Sequence, residues 1–103
     1  MAARVYSTRF LAGRAVGGTQ SLTVPDGYRA VVKFAQAIFF DANTGYFLIA
    51  VNGVPLLWRA SPPIHAVESR AVMVVAYEGE TISMGSAGGD VAWHCSGFLF
   101  REP

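Results

Sequence analysis

The run Trp93-His94-Cys95 is the stretch of this sequence that most invites chemistry, since a thiol beside an imidazole can act as a nucleophile or hold a metal. The spacing argues against both. Neighbours on an extended strand point to opposite faces. Val91, Trp93 and Cys95 then share one apolar face, the setting of a buried, inert thiol. His65 is the second histidine, and two histidines without a third ligand at metal-site spacing do not specify zinc. No cofactor is expected.

The acids are as unpromising. Glu78 and Glu80 flank Gly79 and read as turn carboxylates in water rather than as a glycosidase pair. The tract GSAGGD (85–90) is rich in glycine, but no Lys-Ser/Thr and no helix follow it, so it cannot cradle a phosphate. Asp26, Asp41 and Asp90 fall at turns, where a carboxylate commonly bonds its own backbone. No face gathers a nucleophile, a base and oxyanion donors, so the expectation is a protein that is not an enzyme. Among the large aromatics Tyr46, Phe47, Trp58, Trp93, Phe98 and Phe100, most belong in a core. Trp58, with Arg59 and His65 in the stretch that follows, is the candidate contact for a partner or a glycan.

The elements that would position these residues are strands. No segment sustains the i, i+3, i+4, i+7 apolar pattern of a helix, and Gly or Pro interrupts every window long enough to test. Alternating runs occur at 3–11, 19–24, 28–42, 46–51, 54–60, 67–77, 81–87 and 91–100. Asn52-Gly53 between apolar runs predicts a tight antiparallel hairpin, because both central residues of a type I′ turn need positive φ. Pro55 close behind it suits an edge strand. Pro25-Asp26-Gly27 is a turn with Gly27 in the left-handed region, and it launches run 28–42, whose two faces are both largely apolar. The pattern predicts an all-β fold: an antiparallel β-sandwich of about eight strands, jelly-roll-like.

At 103 residues the chain makes one domain. Residues 19–103 form the sandwich, and residues 1–18 an N-terminal arm or edge strand with a glycine hinge at 12–18. Arg4, Tyr6, Arg9 and Phe10 are the candidate inter-subunit contacts of that arm. The arginines of the opening, spaced by five, would scatter around a helix rather than form one cationic face, so no presequence is read there. No apolar run approaches the ~20 residues that span a bilayer, and no membrane partner is expected. A single cysteine excludes an intramolecular disulfide.

Composition narrows the partners. The net charge is +1 and the isoelectric point 7.9, which excludes sequence-wide attraction to nucleic acid. Hydrophobic residues make up 52% and charged residues 15%, against roughly 25% charged in an average soluble domain. A coat that thin implies surface covered by neighbouring chains. The first third is basic and the last third acidic, so strands from both must interleave for the charges to mix, or opposite poles meet between copies.

Three pieces in order, LTVPDGYRAVV (22–32), YFLIAVNGVPL (46–56) and VMVVAYEGETISMGSAGGDVAWHCSGFLF (72–100), resemble the small β-sandwich structural proteins of tailed bacteriophages, of the minor tail or virion decoration type. The matching positions are Val24, Pro25 and Gly27, then Gly79, Glu80, Thr81 and Ile82, then Ser96, Gly97, Phe98 and Leu99. LLWRASPPIHAVESR (56–70) and the Trp-His-Cys run depart from the pattern. The resemblance implies a non-enzymatic minor tail protein that oligomerises and binds other virion proteins, or alternatively a capsid decoration or head-fibre protein. It places the chain in the virion, assembled in the host cytoplasm, and transfers no catalytic residue. Arginine outnumbers lysine seven to one, which independently suits surfaces buried between subunits. A receptor- or glycan-binding module that uses Trp58 against a host-surface glycan is the competing expectation.

Overall fold

The structure, a computed structural model, describes residues 4–101, with side chains from residue 8 onward. It is all-β: β1 (Arg4–Thr23), β2 (Tyr28–Phe39), β3 (Tyr46–Val51), β4 (Val54–Ala60), β5 (Val67–Ala76) and β6 (Thr81–Arg101). They form one six-stranded antiparallel sheet in the order β4-β3-β6-β2-β5, with β1 on β6, and the sheet curls until it is nearly barrel-shaped.

Six strands stand where eight alternating runs were expected. Runs 3–11 and 19–24 are joined into β1, and runs 81–87 and 91–100 into β6, because the glycine tracts between them do not interrupt the pairing. Between the pairs Val16–Asp90 and Gly18–Ser86, Gly17 faces the three residues Ala87, Gly88 and Gly89. Gly17, Gly18, Gly88 and Gly89 all have positive φ, at 71°, 125°, 67° and 72°. Four left-handed glycines let two paired strands turn a corner together. The tract expected as a glycine hinge at 12–18 is thus part of a paired strand that bends inside a ladder. Run 28–42 also ends earlier, at Phe39.

How far the ribbon bends follows from the connections. Thr23 pairs with Thr81, at the start of β6, whereas Tyr28 pairs with Arg101, at its end. Only residues 24–27 lie between, a reach of roughly 18 Å, although a straight β6 would separate those ends by roughly 66 Å. The β1–β6 ribbon therefore doubles back at the glycine corner, and the longest dimension of the molecule is 50 Å. One half joins β2 and β5 to the part of β6 after the corner, and the other joins β3 and β4 to the part before it.

The core lies between the halves. On β2, Ala30, Ala35 and Ala37 are fully buried, and with Ala76 and Cys95 they make one wall of small side chains. Phe47, Ile49, Leu57, Ile82 and Met84 supply the bulk from the other half, in one cluster with that wall. Leu11, Val32, Phe39 and Val91 of the first half are buried in the same cluster. Phe39 and Phe47 meet edge to face at 5.7 Å and 82° across the corner.

The hairpin β3–β4 spans the predicted residues, with Val51 opposite Val54 and Asn52 and Gly53 at φ 49° and 82°. β4 and β5 are the two edges on one side, and they are laced together: Arg59 Nη1 lies 3.0 Å from Glu68 Oε1, and Arg70 Nη1 donates to the Leu56 carbonyl at 3.3 Å. On the other side β1 pairs with β6 alone, so its second edge has no strand partner among the described residues.

Candidate functional site

The residues with the most chemical potential are separated by the sheet. Cys95 is buried opposite Ala35, and burial pushes its thiol up to about 11. His94 faces the other way, half-buried opposite Gln36, with its ring 6.3 Å from Phe34. His65 lies in the connection after β4, exposed, at φ 64°, and its N–H donates to the Phe39 carbonyl at 2.7 Å. Among the described residues no group of three His, Cys, Asp or Glu is placed to hold a metal.

The turn acids work on the backbone. Glu78 Oε2 accepts from Gly27 N–H at 2.9 Å and Glu80 Oε1 from Tyr77 N–H at 2.8 Å, so the two carboxylates fix the 24–27 and 77–80 turns at one end. At the corner, Asp41 accepts from Asn43 N–H at 2.9 Å and Asp90 N–H at 3.1 Å. Asp90 in turn accepts two bonds from Arg14, at 3.1 and 2.8 Å. The Arg14 guanidinium also stacks 3.8 Å over the Phe40 ring. These hydrogen bonds hold the Asp90 carboxyl below its ordinary range and raise Arg14 above its own.

Trp58 is 60% exposed on the outer surface of the β3–β4 half. It pairs with Leu48, while Tyr46, 44% exposed, lies two residues along β3 with its ring beside Gly85. Thr19, Ser21, Ser83 and Thr81 continue this face toward β1 without a charge. Arg59 pairs with the buried Phe47, so it points to the face opposite Trp58 and is held by Glu68. Trp58 and Arg59 therefore do not form one contact surface, a consequence of the same period-two rule that separates His94 from Cys95.

Of the candidate arm residues, Arg4 and Tyr6 sit in β1 opposite Arg101 and Leu99, and their side chains lie outside the described residues. Arg9 is exposed opposite Ser96. Phe10 is the extra residue of a β-bulge and is buried in the core, so it is not available to a neighbour.

Two further features were not singled out from the sequence. The turns carrying Gly27 and Glu78 enclose an open cleft of about 320 Å³ walled by Tyr28, Arg29 and Tyr77. On the outer surface of the β2–β5 half, Phe98, Val31 and Val75 form one row across three strands. The two apolar faces of run 28–42 were the signal for that row, and pairing in space was needed to see its extent.

A scan against protein-family models and a search of curated proteins find no match to this chain.

Proposed function

We propose that the chain is a non-enzymatic structural subunit of a tailed-phage virion, a minor tail protein that packs against copies of itself and other virion proteins. The observation that carries this reading is the strand pairing. Cut at the glycine corner, β1 and β6 each supply two segments, and the eight resulting segments pair first with last, second with seventh, third with sixth and fourth with fifth. The halves then read 1-8-3-6 and 2-7-4-5. That order supports an eight-segment double-sheet jelly roll, an architecture used by viral capsid and lectin domains. A fold shared by many functions argues only for the class, and the apolar coat with its arginine bias adds the expectation of covered surface.

The unpaired edge of β1 is the natural place for another virion protein. It runs the length of the ribbon, and its sequence holds Arg4 and Arg9, besides the Asp90-paired Arg14, with no acid, so an extended segment bearing carboxylates would both continue the sheet and complement the edge. Produced together with the genes encoded beside it, the chain should sediment with phage particles or tails. Particles that form normally without it overturn the reading.

One observation favours a second reading, a glycan-binding module: Trp58 and Tyr46 stand exposed on an uncharged face flanked by hydroxyls. Aromatic platforms of this kind stack on sugar rings. A glycan array probed with the protein and with Trp58→Ala decides it, since binding that the substitution leaves intact argues against the platform.

A further inference from the structure

The outward side of the β6–β2–β5 half carries, toward one end, a cluster of apolar side chains where a solvated sheet face carries polar ones. Met73 is 72% exposed, Tyr77 54%, Phe98 39% and Val75 37%, around a half-buried Val31. On the other face of the same strands Ala30, Val32 and Ala76 are fully buried. β2 thus has one face in the core and, on the other, an apolar patch around Val31 that lies between Arg29 and Gln36. We propose that this second face is the surface on which two copies of the chain pack, sheet against sheet. The proposal deepens the reading of the chain as an oligomerising subunit and rests on geometry that does not depend on the virion.

Size and charge point to a second copy as the occupant. With strands ~4.8 Å apart and ~3.4 Å per residue, the four strands of this half, β1, β6, β2 and β5, present roughly 590 Å² in projection over about nine residues. Two such faces give roughly 1,200 Å², the lower bound of a specific interface. The central row Phe98–Val31–Val75 carries no charge, so it can meet its own symmetry mate without an unpaired ion. Arg9, Arg29 and Lys33 lie off that row, and Arg29 is held 5.1 Å over its own Tyr77 ring. Among the described residues the one carboxylate on the outward rows, Asp90 at the far end, is taken by Arg14. An interface with cations and no free acid must be driven by apolar burial, so salt should tighten it by screening the repulsion, whereas docking on an acidic partner surface would weaken.

Sedimentation equilibrium over a dilution series tests this. The wild type should show a species of twice the 11.0 kDa chain mass, more populated at high salt. Val75→Lys should weaken association by roughly tenfold or more, and Trp58→Ala, on the other half, should leave it unchanged. Should Val75→Lys fail to fold by circular dichroism, Met73→Lys, at a still more exposed position, carries the same test. A wild type that stays monomeric, a folded Lys variant that associates as before, or association abolished by salt overturns the proposal. A salt-tolerant dimer that never enters particles would overturn the virion reading alone, and a monomer that does enter them would overturn this inference alone.

Discussion

Trp93 occupies the space that Gly13 leaves open. The two are cross-strand partners, and a Cβ on Gly13 would sit 2.7 Å from Trp93 Cζ2. The indole Nε1–H is then satisfied by Gln20 Oε1 at 2.7 Å, from the segment of β1 beyond the corner. One side chain so ties together the two segments that the glycine bend separates.

Gly13→Val should therefore displace the indole rather than fill a void, at a cost of about 1–3 kcal/mol. Gln20→Leu should leave the indole N–H unpaired and cost about 1–2 kcal/mol. Urea unfolding followed by tryptophan fluorescence measures both, and Gly13→Val should also shift the native emission. An unchanged midpoint for Gly13→Val would show that the Trp93 ring has room to move.

Thr44 is buried at the corner, against Gly89, and its Oγ1 has no hydrogen-bond partner among the described residues. A buried hydroxyl left unpaired is destabilising, and valine has nearly the same shape. Thr44→Val should raise stability by about 1 kcal/mol in a thermal or urea melt. A loss of stability would mean that the hydroxyl is satisfied in solution.

Asp90 has a carboxyl held low by Arg14, first through hydrogen bonds and then through charge. Its folded value lies below the ordinary 3.8, so its contribution is present above that pH and lost as pH falls through the folded value. Wild type should thus lose more thermal stability than Asp90→Asn on going from neutral pH to below the ordinary carboxylate range. The pair is exposed to solvent, so the difference should also shrink in high salt. Parallel acid limbs for the two proteins would count against it.

Cys95 should resist thiol reagents in the native state at mildly alkaline pH and react at once in denaturant, because burial raises its pKa from 9.0 to about 11. The same shift means that the folded state loses stability as pH climbs through that window, where the unfolded thiol ionises first. Rapid native labelling would place the thiol nearer solvent than the structure does.

Local signals in the sequence carried the hairpin at Asn52-Gly53, the turn at Gly27 and the opposite facing of His94 and Cys95. These depend only on φ preferences and on the two-residue period of a strand. The corner was harder. Gly17–Gly18 and Gly88–Gly89 look like two loops when each is read alone, and only their pairing across the ribbon makes them one bend. The lacing of Arg59 to Glu68 was invisible for a similar reason, since it joins strands that are not neighbours in the hydrogen-bonded order. Position in a basic first strand suggests Phe10 as a contact for a neighbouring subunit, yet the bulge there turns it into the core.

The place of β6 in the sheet has a consequence for how the chain folds as it is made. β6 follows the other five described strands in the chain, yet it is the strand on which β1, β2 and β3 all pair. Before residues 81–101 leave the ribosome, β1 has no mate, and only the β2–β5 and β3–β4 pairings can form. Synthesis therefore yields a chain whose apolar strands wait, unshielded, for the strand that joins them, and whose final collapse is a slow step dominated by contacts distant in sequence.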